Sequence, residues 1–195
     1  MAHFAASQMP TGHPSLKGQL LLDGGKLKGS YFNRTVVLIC EHNSEGAFGL
    51  VLNRPSEAKL GEVMDRKLPT SIQACTLFGG GPVQPSALTF LHSDEYLPTA
   101  NVLENLMMSH DLDELIDVGQ SWSSTKQLRV FAGYAGWSPG QLDDEMRRES
   151  WLTHPATVEL VFQKSPETLW RHILSLRPNW QERLLADTPD DLSAN

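Results

Sequence analysis

The strongest constraint on the fold is a pair of apolar runs, Val36-Val37-Leu38-Ile39-Cys40 and Ala47-Phe48-Gly49-Leu50-Val51-Leu52, joined by a polar stretch that ends in Gly46. The first run is rich in β-branched residues and has no polar position, the pattern of a strand covered on both faces. The polar link lets the second run fold back on the first, so the two form an expected buried hairpin. Such a hairpin needs further layers. Strands are expected at 19–22, 75–78, 87–91, 128–132 and 157–162, and helices fill the gaps. Ser56 reads as an N-cap before Leu60, Val63 and Met64, and Asp111 precedes Leu112, Leu115 and Ile116 at the same i, i+3, i+4 spacing. Ser165-Pro166 supplies a helix start before the stripe Leu169, Trp170, Ile173 and Leu174. The order β-ββ-α-ββ-α-β-α-β-α lacks strict alternation, which favours a mixed sheet with helices against it. Residues 101–110 read equally as a strand or as the start of a helix.

With 195 residues and 40% apolar content, the chain has the material for one compact core. A single domain is expected over 16–186, between a loose arm at 1–15 and an acidic tail at 187–195. Sixteen Lys and Arg against 23 Asp and Glu leave a net charge of −7, the wrong sign for a protein that coats nucleic acid or anionic lipid through its overall field. Cys40 and Cys75 lack C-x-x-C spacing, and no apolar run is long enough to span a bilayer. A cytoplasmic protein without membrane insertion is the expectation.

Gly136-Trp137-Ser138-Pro139-Gly140 fits the G-x-S-x-G hydrolase elbow, but Pro139 stands where that elbow needs a backbone N–H for the oxyanion hole. A helix start explains these residues better, with Ser138 as N-cap, Pro139 in the first turn and Gln141 reaching back. Asp143, Asp144 and Glu145 follow and would repel a phosphate there. Gly79-Gly80-Gly81-Pro82 has neither P-loop nor dinucleotide spacing, and a tight turn between strands is the simpler expectation. Cys40-x-His42 offers two metal ligands where a catalytic zinc needs three, with only His92 as a distant third, so no metal site is expected. Arg147, Arg148, Arg171, Arg177 and Arg183 concentrate basic character near the C-terminus, interleaved with Glu149, Glu167 and Glu182. A solvated helix surface accounts for them more simply than a nucleic-acid face.

Taken together and in order, Phe32-Asn33-Arg34-Thr35 with 36–42, Gly46 with 49–55, Gly79-Gly80-Gly81-Pro82-Val83, Leu91-His92, and Gly133-Tyr134-Ala135-Gly136-Trp137 with 139–142 resemble the AlgH/YqgE family over roughly residues 17–178. The resemblance implies an α+β fold, a mixed, branched β-sheet with a small barrel-like core surrounded by helices. It brings no catalytic assignment and no cofactor. One branch of the family is named for a regulatory effect on alginate production and labelled a candidate transcriptional regulator. The matching residues Asn33, Arg34, Glu41, His42, Asn53, Arg54, His92, Trp137 and Gln141 lie near expected element ends and are the candidates for one binding cleft. The function that follows is a non-catalytic binding or regulatory protein with a protein or small-molecule partner. The alternative is a small-molecule sensor or enzyme with a pocket around Glu41, His42, His92 and Trp137. Direct DNA binding through the C-terminal arginines is a third and weaker possibility.

Overall fold

The computed structural model describes residues 14–64 and 67–188, so most of the arm expected at 1–15 and of the tail expected at 187–195 lies outside the described residues. The chain runs β1 (Gln19–Asp23), β2 (Val36–Asn43), β3 (Gly46–Val51), β4 (Pro55–Lys59), α1 (Leu60–Val63), α2 (Thr70–Gln73), β5 (Thr76–Gly79), β6 (Val83–Ser93) and β7 (Leu106–Ser109). It continues through α3 (Leu112–Gln120), β8 (Gln127–Trp137), α4 (Gln141–Arg147), β9 (Trp151–Pro155), α5 (Val158–Phe162), α6 (Pro166–Ser175) and α7 (Trp180–Asp187). The expected hairpin is present as β2 and β3, antiparallel, with an irregularity between Ile39 and Glu41. Its unbroken apolar character has a direct cause. Leu38 and Leu50 face one core with Trp170 and Ile173, while Val37, Ile39 and Val51 face another with Trp137, Leu142 and Trp151. Alternate residues of a strand point to opposite faces, so a strand between two cores has no polar position.

The sheet is mixed and branched. Its main path is β4-β5-β8-β3-β2-β1-β9, and β6 joins β8 while carrying β7. Ala132 of β8 pairs with Gly79 of β5, in parallel, and with Leu88 of β6, so those two strands lie on opposite edges of β8. Further along, Ala135 pairs with Gly49 of β3. One long strand therefore serves two branches in succession. The barrel implied by the resemblance is not closed: among the described residues β4 pairs only with β5 and β9 only with β1, leaving the sheet open with helices packed against it.

The branching corrects the expectation for the glycine run. Because β5 and β6 flank β8, residues 80–82 cross that strand instead of making a turn between paired neighbours. A Cβ on Gly80 would collide with the Gly133 carbonyl, and one on Gly81 with the backbone of Tyr134. Glycine is needed here for close backbone approach, and Gly80 also donates to the Ala132 carbonyl at 2.9 Å.

Other differences are local. Residues 157–162, expected as a strand, form α5: the Thr157 hydroxyl accepts from the Leu160 amide at 3.2 Å, and a short apolar run does not by itself separate helix from strand. The strand there is β9 instead, which pairs with β1. Ser56 is not a helix cap. It lies in β4 and donates to the Leu77 carbonyl at 2.7 Å, while α1 begins after Lys59, whose amide is accepted by Glu62 at 2.8 Å. The cap of α4 is Gly140, at φ 72°, although the Gln141 side chain does reach back to the Ser138 amide at 3.0 Å. Residues 133–136 continue β8, the ambiguous segment 101–110 yields the strand β7, and α7 extends to Asp187. Asp111 caps α3 as expected, accepting from the Asp113 amide.

Candidate functional site

The end of β1 and the loop before β2 are tied down by Asp23, which is fully buried. Its carboxylate accepts from the amides of Gly25 at 2.8 Å, Leu27 at 3.1 Å and Arg34 at 2.9 Å. From the other side Asn53, just past β3, accepts from the Val36 amide and donates to the Arg34 carbonyl, each at 2.9 Å. The Arg34 backbone is clamped by both and sits in the left-handed region at φ 54°. These clamps aim the side chain. The Arg34 guanidinium lies 5.3 Å over the Trp170 ring of α6, and its Nη2 donates to the Thr188 carbonyl at 2.9 Å. Arg54 donates from Nη2 to the Asn33 carbonyl at 2.6 Å. Arg171, one residue after Trp170, donates from Nε to the Ala186 carbonyl at 2.9 Å.

Between these groups is a cavity of about 310 Å³. Asn33, Arg34, Asn53 and Arg54 form one side, and Pro166, Glu167, Trp170 and Arg171 of α6 form the other. A smaller space of about 160 Å³ adjoins it, sharing Asn33, Arg34 and Trp170. Three guanidinium groups thus face one carboxylate. Burial foremost, and then the neighbouring Arg171 charge, pull the Arg34 pKa below its ordinary value, with Asp23 opposing them. Nearby, buried Arg129 donates to the Leu52 carbonyl at 3.2 Å and lies 4.5 Å over the Phe78 ring. Burial brings its pKa down to about 10 against the opposing pull of Glu167. The Glu167 carboxyl is held below its usual range first by the Ser165 hydroxyl and then by its own backbone amide. The lining is therefore rich in donors suited to oxyanions, and its one carboxylate is a poor general base.

The remaining candidates are not part of this cavity. Glu41 and Trp137 border a separate recess of about 180 Å³ beside Phe48. His42 accepts from the Leu16 amide at Nδ1, 3.0 Å away, and its Nε2 lies 3.7 Å from Asp143. Gln141 donates to Glu145 at 3.0 Å, and the same carboxylate accepts from the indole N–H of Trp137 at 2.9 Å and of Trp151 at 2.8 Å. His92 is buried on β6, with Nε2 3.5 Å from Glu114 of α3, and burial foremost lowers its pKa. Cys40 lies in the core with its thiol toward the Leu38 carbonyl, away from any ligand arrangement with His42. Among the described residues no group of three or more metal-ligating side chains is assembled.

Three of the arginines of the C-terminal third are engaged locally. Arg147 pairs with Asp144, Arg177 with Glu182 at 2.6 Å, and Arg183 donates to the Arg177 and Pro178 carbonyls at 2.9 and 3.1 Å. Only Arg171 of this set reaches the cavity. Glu167 and Trp170 carry only a helix-face reading in the sequence, and Arg171 carries that reading beside the weaker one of DNA binding. The i, i+4 relation of Glu167 to Arg171 marks a shared helix face, but which loops that face meets is decided by the fold. No described helix is long and apolar enough to cross a membrane.

Fold and site together define an α+β protein with an open branched sheet and an arginine-lined cavity between strand ends and a helix. The AlgH-like family, DUF179, matches residues 20–179, and the chain belongs to it. A UPF0301 protein of Methylococcus capsulatus is 36% identical over 172 residues, covering 86% of this chain and 94% of the relative. A UPF0301 protein of Rhodococcus opacus is 32% identical over 194 residues, covering 97% of this chain and 94% of the relative. Among solved structures, the AlgH protein from Pseudomonas aeruginosa is similar at a TM-score of 0.69 and 30% identity, covering 96% of this chain and all of that one. A Corynebacterium diphtheriae protein is similar at a TM-score of 0.70 and 25% identity, covering 93% of this chain and 95% of that one.

Proposed function

We propose that the chain is a non-catalytic small-molecule-binding protein, regulatory in role, that receives its ligand in the cavity beside Arg34 and Arg54. The observation that carries this reading is the contrast in side-chain use. Asn33, Arg34, Asn53 and Arg54 share one cavity, whereas of Glu41, His42, His92 and Trp137 only Glu41 and Trp137 border a common recess, His42 and His92 being engaged elsewhere. An acid–base or nucleophilic mechanism needs its groups gathered around a common reacting atom, and those four line no shared cavity among the described residues. At about 310 Å³ the cavity sits at the small end of ligand sites, which run from roughly 300 to 1,000 Å³. A metabolite of modest size fits it. Any effect on transcription then passes through the ligand or a protein partner, in keeping with the net charge of −7. A cytoplasmic setting suits the two unbridged cysteines, Cys40 and Cys75.

A thermal-shift screen of a metabolite library tests the reading. The expected result is a small set of compounds that stabilise the protein, lose that effect in Arg54→Met and are recovered chemically unchanged. Conversion of a stabilising compound into product, or stabilisation indifferent to Arg54→Met, overturns it.

A further inference from the structure

We infer that His42 is a pH-operated latch on the segment before β1: its neutral imidazole holds Ser15 and Leu16 along β2, and protonation releases them as the ring is drawn toward Asp143. The inference is independent of the arginine cavity. His42 follows the irregularity in β2, and its side chain is only 7% exposed. Its Nδ1 accepts from the Leu16 amide at 3.0 Å, and its carbonyl accepts from the Ser15 hydroxyl at 2.9 Å. One residue thus supplies the two bonds that tie Ser15 and Leu16 to β2. The next anchor is Gly18, whose amide donates to the Ile39 carbonyl at 2.9 Å and whose carbonyl accepts from Ala156 at 3.0 Å, so any loosening stops there. Leu16 packs against the core of Ile39, Trp137 and Leu142, and its release uncovers that part of the core.

The donors fix the protonation state. A backbone N–H can only donate, so Nδ1 offers its lone pair to Leu16 and the single imidazole proton resides on Nε2. That nitrogen faces Asp143 of α4, 3.7 Å away, and the Asp143 Oδ1 is buried without a hydrogen-bond partner. Acidification adds a second proton at Nδ1, directly against the Leu16 amide, and the bond becomes two opposed donors. The same proton makes the ring a cation beside the unpartnered carboxylate, and closing the gap between them forms a charge-assisted hydrogen bond. The ring gains on the α4 side what it loses on the side of the segment. The elements around it are residues 14–17, β3 through Ala47, and α4. Their charges do not compete for it. Lys17 and the adjacent Glu41 of β2 are exposed, and β3 has no titratable residue. On α4, Asp144 pairs with Arg147, and Glu145 accepts from Trp137, Trp151 and Gln141. Among the described residues Asp143 alone stands within ion-pair distance of the ring.

Nuclear magnetic resonance of the full chain between about pH 7.5 and pH 5 tests the inference, following the His42 ring by its chemical shifts and the Leu16 amide by its order parameter. The Leu16 value is expected to fall from about 0.85 to below about 0.6 over the interval in which the His42 ring titrates, while Leu21 in β1 stays near 0.85. In His42→Asn the Oδ1 takes the place of Nδ1, accepts the same N–H and does not titrate, so Leu16 is expected to stay ordered throughout. Asp143→Asn removes the counter-charge, and the loosening is expected to require a lower pH. Equal unfolding temperatures of parent and variants at the higher pH separate loss of the switch from loss of fold. Coincidence of the two titrations in the parent decides the matter even where His42→Asn does not fold. A Leu16 amide that stays ordered once His42 is protonated overturns the latch, as does one already mobile at the higher pH. So does a His42 ring that fails to titrate across the range, or the same acid loosening in folded His42→Asn.

Discussion

The Glu145 cluster and the arginine cavity use similar polar material to opposite ends. Trp137 and Trp151 belong to the core on one face of the β2–β3 hairpin, and Trp170 to the core on the other. Around Glu145, two indole N–H groups and the Gln141 amide all donate to one carboxylate, and Phe32 fills the space beside the indoles at ring distances of 6.4 and 5.6 Å. Donors and acceptor are matched, although Trp137 also borders the recess of about 180 Å³ and Trp151 a cavity of about 610 Å³. Around Arg34 and Arg54 the bonds go mainly to neutral backbone carbonyls, and a cavity remains. A polar cluster closed on itself stabilises a fold, whereas one that gathers like charges around open space is suited to a ligand.

The largest expected effect on stability comes from Glu145→Ala, which orphans two buried indole donors at roughly 1–3 kcal/mol each. Urea unfolding should show a loss of about 3 kcal/mol, with the thermal shift given by a cavity ligand unchanged; a parallel loss of that shift would mean that the two regions are not independent. Next is Asn53→Ala, which removes the acceptor of the Val36 amide and the donor to the Arg34 carbonyl. A loss of about 2 kcal/mol is expected by the same measurement. Because the Arg34 backbone is then unclamped, a smaller thermal shift from a cavity ligand should accompany it.

A smaller effect is set by pH. Burial holds the His92 pKa below its ordinary value of 6.5, so the unfolded chain takes up this proton at a higher pH than the folded one. Stability contributed by neutral His92 is therefore complete above about pH 6.5, falls as pH drops through that value, and levels off below the folded pKa. The slope from one such group is at most about 1.4 kcal/mol per pH unit. His154 is shifted in the same direction, by burial foremost and then by Arg177 and His172. Unfolding temperatures at pH 7.5 and 5.5 should differ less in a His92→Gln variant than in the parent. The smallest stability change, within about 1 kcal/mol, is expected for half-buried Arg54→Met, although the stabilisation given by a cavity ligand should be lost in it. A large stability loss in that variant, measured by urea unfolding, would place Arg54 with the Glu145 type of cluster.

Much of the scaffold was legible where local rules acted alone. The apolar run at Val36, with its β-branched residues, reads as a strand buried on both faces and is one, and helices do start after Asp111 and Ser165. The misread segment at 157–162 shows the limit, since a run of six residues with four apolar ones satisfies either period until a cap such as Thr157 decides. For the site, Asn33, Arg34, Asn53 and Arg54 were visible as two polar pairs at the ends of apolar runs. Nothing local separated them from Glu41, His42 or His92, which occupy equally plausible strand positions.

The sequence by itself determined an acidic α+β chain with a central buried hairpin and polar pairs flanking it, because periodicity, capping and turn chemistry are properties of neighbouring residues. Only the tertiary structure decided which polar groups meet. The branch at β8 and the docking of α6 bring Arg171 to residues more than a hundred positions earlier in the chain, and no local spacing encodes that approach.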